Sequence, residues 1–225
     1  MFTDWKFIFV SLILLLMSPD PSASAQTPAH TIVFETSMGN LKCILYTETP
    51  MHAENFIKLS NEGYFNGQLF HRVISEFMIQ TGDPTTKTAT KGQPVGSGGP
   101  GYTIPGEFHP ALYHKKGALA SARQGDRVNP NRESSGSQFY IVQGKVLSDS
   151  DLNSMESNGS HIKFTPEQRN IYKTAGGTPH LDYTYTVFGE VIEGLDVVDR
   201  IASVPTDNMS RPLEDVKIIK VTVLK

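Results

Sequence analysis

A single cysteine, Cys43, stands among 225 residues. No intramolecular disulfide is therefore available, and the fold has to hold on its own apolar core. Cys43 lies in the strand-like run Asn40-Leu41-Lys42-Cys43-Ile44-Leu45-Tyr46, which marks it as a small core-facing residue rather than a reactive thiol. Also missing are a Cys-x-x-Cys pair, a His-Glu-x-x-His helix and a Gly-x-Ser-x-Gly elbow, the usual signs of zinc, metalloprotease and serine-hydrolase chemistry. Neither sign of charge dominates: 20 Lys and Arg face 23 Asp and Glu, for a formal net charge of −3. Without a basic field, the composition argues against nucleic-acid binding. Glycine and proline are plentiful over 92–106, yet Gly96-Ser97-Gly98-Gly99-Pro100-Gly101 lacks the Gly-Lys-Ser/Thr ending of a phosphate loop. It reads as a structural Ω-like loop.

Residues 1–25 form a separate object. Lys6 precedes an apolar run over 7–17, Pro19 and Pro21 break any helix, and Ala23-Ser24-Ala25 supplies a small-residue cleavage pattern. The run is shorter than the roughly 20 apolar residues a membrane span needs. A secretory signal peptide cut after Ala25 is expected, leaving 26–225 as an exported chain, periplasmic or secreted, with no stable membrane insertion. Asp4 offsets Lys6, so an uncleaved anchor is the alternative. No cysteine near the cleavage site invites a lipid anchor.

Thr31-Ile32-Val33-Phe34-Glu35-Thr36 is β-rich and leads through Met38-Gly39-Asn40 into the Cys43 strand, a hairpin pattern. Thr49-Pro50 opens a helix, with Thr49 as cap and Pro50 at its first position. Ala53, Phe56, Ile57 and Ser60 make its stripe, and Gly63 its stop. Asn66-Gly67 signals a tight turn. Strand patterns return at 117–122, 138–142 and 185–191. A second amphipathic helix over 194–201 places Leu195, Val198 and Ile201 on one face, and 216–224 reads as a closing strand. Many short strands and two separated helices point to one closed antiparallel barrel rather than a βαβ sheet. Between 144 and 179 a helical insertion interrupts the β pattern. Its second piece opens with a capping box, Thr165 to Gln168, and ends at Gly176-Gly177. It is too short to build its own core.

Two runs carry the candidate chemistry. In Phe-His-Arg-Val-Ile-Ser-Glu-Phe-Met-Ile-Gln-Thr-Gly-Asp, 70–83, alternation puts Phe70, Arg72 and Ile74 on one side and His71 and Val73 on the other. A guanidinium on an apolar face needs a reason to be desolvated, unless it snorkels to water from a strand end. Phe77, Met78 and Gln80 follow, and an apolar patch with one cation and one neutral amide suits a neutral, amide-rich ligand. In Ser134-Ser135-Gly136-Ser137-Gln138-Phe139-Tyr140-Ile141, Gln138 and Tyr140 share a face while Phe139 points inward. His71 reads as a hydrogen-bonded structural histidine. Taken singly, Phe77, Met78 and Leu181 would pass for core, and Gln80 and Gln138 for surface amides.

In order and spacing these runs closely resemble the active-site segments of cyclophilins, the cyclosporin-type peptidyl-prolyl isomerases, and the resemblance runs over 31–225. It implies a mainly β fold: a closed eight-stranded antiparallel β-barrel capped by two α-helices, with a surface helical insertion over about 145–178. It implies Arg72, Gln80 and Phe77 as catalytic residues. His71, Met78, Ala122, Arg123, Gln138, Tyr140, His180, Leu181 and Tyr185 are the implied substrate-binding residues. Tyr140 stands where phenylalanine is commoner and adds a hydroxyl to the pocket floor. Arg123 replaces an asparagine, His180 a tryptophan that contacts cyclosporin, and Tyr185 a histidine. The implied activity is isomerisation of X-Pro bonds in proline-containing polypeptides and unfolded client proteins, by a monomer that uses no metal or cofactor. A proline-peptide-binding or chaperone-like module without turnover is the alternative.

Overall fold

The computed structural model describes residues 28–159 and 163–224; the expected signal peptide lies outside them. β1 (Pro28–Thr36) and β2 (Gly39–Tyr46) form the hairpin, turning at Ser37 and Met38. Gly39 has φ +126°, a conformation that favours glycine, and a Cβ there would also crowd the Val197 and Arg200 side chains at 3.0 Å.

α1 (Pro50–Asn61) starts at Pro50, but Thr49 makes no side-chain cap bond. Glu107 supplies the cap instead: its carboxylate oxygens accept from Met51 N–H at 3.2 Å and His52 N–H at 3.0 Å. A carboxylate answers two unpaired N–H groups and the positive end of the helix dipole, where a hydroxyl would answer one.

The chain continues through β3 (Arg72–Ile74), β4 (Met78–Thr81), β5 (Thr103–Ile104), β6 (Ala118–Ser121), β7 (Ser134–Ser135) and β8 (Phe139–Val142). Then come α2 (Asp149–Ser157), α3 (Pro166–Thr174), β9 (Val187–Glu193), α4 (Leu195–Ala202) and β10 (Ile218–Leu224). Eight strands make one curled antiparallel sheet in the order β10-β1-β2-β9-β6-β8-β4-β3, and β5 pairs with β7 beside it.

Strand alternation divides the sheet into two apolar faces. Ile32, Phe34, Cys43, Val73, Ile79, Leu119, Phe139 and Ile141 point into the curl and meet α1 and α4 in the main core. Phe34, Phe56, Phe65, Phe139 and Phe188 interlock there, with ring centroids 4.8–5.9 Å apart. Met78, Ala118, Ala120, Tyr140 and Val142 point the other way and form a second cluster. Phe70 belongs to the main core rather than to the face of Arg72. The strand begins only at Arg72, so alternation does not extend back to Phe70. In α4 the buried stripe is Val197, Val198, Ile201 and Ala202, while Leu195 sits exposed at its edge in the first turn.

The barrel is not closed. β3 and β10 are the two edges of the sheet. Chain just before β3 reaches β10, with Gly67 N–H donating to Ile218 O, Phe70 N–H to Val216 O, and an isolated bridge between Leu69 and Lys217. Within β3, however, Val73 N–H donates to Ser210 O at 2.7 Å. The loop carrying Ser210 thus occupies the edge that closure would need.

The insertion holds α2 and α3, each started by a complete capping box, Ser148 with Asp151 and Thr165 with Gln168. Leu147, Leu152, Phe164 and Tyr172 pack there around Tyr113, which the main body contributes. Among the described residues, no helix is long and apolar enough to cross a membrane.

Candidate active site

Sheet register aligns Arg72 with Gln80, Gln80 with Tyr140, and Tyr140 with Ala120. Directly opposed residues share a face, so this row crosses β3, β4, β8 and β6 on the outside of the curl. Met78 lies in the neighbouring row, opposite Ile74 and Val142.

Arg72 Nη1 donates to Gln80 Oε1 at 3.2 Å and comes within 4.0 Å of Met78 Sδ. The guanidinium carbon is 5.8 Å from the centroid of the Phe77 ring. Among the described residues Arg72 has no ion pair. Gln80 Nε2 donates to Gln138 Oε1 at 3.0 Å, and Gln138 Nε2 donates to the carbonyls of Gly96 at 3.0 Å and Gly98 at 2.8 Å. Since a guanidinium can only donate, Gln80 must present its oxygen to it, and each amide then orients the next. The chain fixes one nitrogen of Arg72 and leaves other donors of its fork open. Gln138 is therefore committed to the glycine-rich loop.

Asp83 anchors that loop. Its Oδ1 accepts from Thr85 N–H at 2.8 Å and Thr85 Oγ1 at 2.7 Å, and its Oδ2 from Gly96 N–H. Burial pushes the carboxyl pKa up, but hydrogen bonds from Thr85, Gly96 and Gly98 outweigh it and hold the group below its ordinary value. Gly98 permits the approach, since a Cβ there would lie 2.1 Å from Asp83 Oδ1.

His71 departs from its sequence reading. It is only 4% exposed, and neither ring nitrogen meets a hydrogen-bond partner among the described residues. The ring lies beneath Gly96, 3.4 Å from where a Cβ would stand. Burial lowers its pKa against the opposing pull of Asp83 and of the Leu69 backbone, so the folded protein disfavours the charged ring.

Phe77, Met78, Ala122, Tyr140, Leu181 and Tyr185 come together in one apolar cluster. Tyr140 is 4% exposed, and its hydroxyl meets His114 Nε2 at 3.0 Å rather than solvent. The three rim residues that differ from the family pattern have partners. His180 stacks on Phe77 with centroids 5.7 Å apart and 29° between planes. Burial, then the nearby His114, lower the His180 pKa. The guanidinium carbon of Arg123 lies 4.4 Å from the Tyr185 ring centroid, while Nε donates to Thr184 O at 2.8 Å and Nη1 to Asp126 at 2.6 Å. Ala122 is also engaged: its N–H donates to Gln138 O and its carbonyl accepts from Ser135 N–H. The main-chain N–H and C=O of Arg123 have no partner among the described residues.

His114 and Asp182, which support this pocket, carry no motif that singles them out. The partners of His114, Tyr140 and Asp182, are 26 and 68 residues away, and only folding brings them together. Among the described residues, no group of three or more His, Cys, Asp or Glu could hold a metal ion.

Residues 31–223 match the family model described as cyclophilin type peptidyl-prolyl cis-trans isomerase/CLD. A Streptococcus pyogenes serotype M6 protein, named as a bifunctional phosphatase/peptidyl-prolyl cis-trans isomerase, is 36% identical over 195 residues; the match covers 85% of this chain but 38% of that protein. A Staphylococcus saprophyticus protein named for the isomerase alone is 34% identical over 195 residues, covering 86% of this chain and 91% of the relative. The crystal structure of a Cryptosporidium parvum cyclophilin type peptidyl-prolyl cis-trans isomerase aligns with a TM-score of 0.62 at 26% identity, covering 87% of this chain and 98% of that one. A structure of the same protein in the presence of the dipeptide Ala-Pro gives a TM-score of 0.62 at 24% identity, with coverage of 87% and 99%. With this sheet, this row of residues and a family match over nearly all the described chain, the protein belongs to the cyclophilin-type peptidyl-prolyl cis-trans isomerases.

Proposed function

We propose that this isomerase turns X-Pro bonds in exported polypeptides by stabilising the twisted imide with Arg72. The observation that carries the reading is the Arg72 guanidinium, braced at one nitrogen by Gln80, without an ion pair among the described residues, and beside an apolar pocket. Partial double-bond character sets a rotation barrier of about 18–20 kcal/mol. Twisting the bond ends resonance and leaves a localised lone pair on the proline nitrogen. An Arg72 N–H can donate to that lone pair only in the twisted state, so the interaction is made in the transition state and not in the planar ground state. Phe77, Met78, Tyr140 and Leu181 hold the pyrrolidine ring while the preceding carbonyl rotates. Arg123 offers its unpaired main-chain N–H and C=O to the peptide backbone. No nucleophile, metal or proton transfer enters the scheme.

A peptidyl-prolyl isomerisation assay on a proline peptide tests this. Acceleration above the uncatalysed rate, which lies in the range of tens of seconds, supports it. Binding of the peptide without acceleration would favour a proline-binding or chaperone-like module. We assign the protein to the exported class on the strength of the 1–25 pattern, and its clients to unfolded proline-containing polypeptides on the strength of the family match. Amino-terminal sequencing of protein from the extracytoplasmic fraction that finds Gln26 supports export with cleavage; Met1 there refutes cleavage, and absence of the protein from that fraction refutes export.

A further inference from the structure

A buried polar chain joins the pocket floor to the insertion. Tyr140 Oη meets His114 Nε2 at 3.0 Å, His114 Nδ1 meets Asp182 Oδ1 at 2.9 Å, and Tyr172 Oη donates to Asp182 Oδ2 at 2.6 Å. Asp182 Oδ1 also accepts the main-chain N–H of His114 at 2.8 Å. All four side chains are buried. A carboxylate only accepts, so Nδ1 of His114 carries its hydrogen toward Asp182, and Nε2 shares a hydrogen bond with the Tyr140 hydroxyl. The His114 ring also stacks on Tyr140, 6.0 Å between centroids and 15° between planes, and meets Tyr185 edge-on.

The base of the insertion is tied to the same place. Thr178 N–H donates to the His114 carbonyl at 2.8 Å, and Gly177 N–H donates to Lys145 O at 3.0 Å. Gly177 sits where a Cβ would lie 2.3 Å from His114 O and 2.6 Å from the Tyr172 ring. The segment that follows α3 is thus held against His114 by its backbone, while α3 itself reaches Asp182 through Tyr172. Asp182 directly follows His180 and Leu181, which form a wall of the pocket.

We propose that Tyr172, in the inserted helix α3, is a positioning residue of the proline pocket. Through Asp182 and His114 it sets the ring of Tyr140, and through Asp182 it sets the turn bearing His180 and Leu181. The insertion is thereby a working part of the site. Buried hydrogen-bonded networks couple their members more strongly than separate pairs, and small displacements of a binding surface are costly to catalysis. The inference rests on the isomerase reading.

Tyr172→Phe removes the donor while keeping the ring between Tyr113 and Phe164. Steady-state isomerisation should show KM raised about 3- to 10-fold with kcat within about twofold, because ring holding is lost and Arg72 is untouched. Tyr140→Phe cuts the chain at its pocket end. Adding Tyr172→Phe to that background should raise KM by less than half the factor it gives alone, because only the route through the His180 and Leu181 turn remains, while lowering Tm as much as it does alone. A merely structural role would carry the same fold-change into both backgrounds. That result, or an unchanged KM in Tyr172→Phe, overturns the proposal. The 15N shifts of the His114 ring report the relay without turnover: they should move in Tyr172→Phe, and static shifts overturn the relay even if activity falls. His114 shifts that move in Tyr172→Phe, together with a wild type that gives no acceleration, would refute the isomerase reading and with it the positioning task of Tyr172.

Discussion

Replacing Arg72 with alanine separates charge stabilisation from folding. Arg72 is half-buried, and among the described residues its polar contacts are the Gln80 Oε1 hydrogen bond and the 4.0 Å approach to Met78 Sδ. Water can take the place vacated beside Gln80, so the stability cost should be about 1 kcal/mol or less. For a chain of this size that corresponds to a Tm shift of roughly 2–4 °C at most. Catalysis should suffer much more. A preorganised donor aimed at charge that develops only in the transition state contributes about 2.7–4 kcal/mol, equivalent to a loss of about 10²–10³ in kcat. In the proposed scheme the planar substrate is held by Phe77, Met78, Tyr140 and Leu181, so KM should move little. Isomerisation kinetics by NMR exchange, paired with thermal denaturation by circular dichroism, would read both numbers. A kcat loss below about threefold, or a loss confined to KM, would refute the transition-state role for Arg72.

Asp83 gives a pH signature: its depressed pKa contributes stability that is full above the ordinary value of 3.8 and is lost as pH falls through the lower folded value. Asp83→Asn should flatten the acid limb of a Tm-against-pH curve below about pH 4, and a limb as steep as wild type would contradict the assignment. Gly98→Ala should drive the loop off Asp83 at a cost of about 1–3 kcal/mol in denaturant unfolding, with a rise in KM; an unshifted midpoint would refute the close approach. Glu107→Ala should uncap α1 and lower stability by about 1–2 kcal/mol, with Glu107→Gln losing less. Equal stabilities across the three proteins would remove Glu107 from that role. Cys43 is fully buried, and burial first, then Glu190, push its thiol pKa up. A thiol reagent should label it only in denaturant, and rapid labelling of the native protein would contradict its placement in the core.

The local regularities were legible because local physics produces them. Two-residue alternation sends Phe139 inward and Tyr140 outward, and Pro50 and the Thr165–Gln168 capping box mark helix starts that form where expected. Resemblance of two short runs to a known family supplied the fold and activity. Alternation failed at Phe70 because the strand begins two residues later, and at α4 the buried stripe centres on Val198 and Ile201, leaving Leu195 at its edge.

By itself, then, the sequence determined the inward turn of Phe139 and the outward turn of Tyr140, the starts of α1 and α3, and an arginine and amide set on an apolar face. Only the tertiary structure decided how those side chains are held. Ser210 takes the Val73 N–H and keeps the sheet open, Glu107 caps α1 in place of Thr49, and Gln138 turns to the carbonyls of Gly96 and Gly98. Arg123 pairs with Tyr185, His180 with Phe77, and Tyr172 reaches the pocket through Asp182 and His114. The division has one cause. Alternation and helix starts arise between neighbours along the chain, whereas a donor or ring is satisfied by whichever partner folding brings within about 3–6 Å, at any distance in sequence.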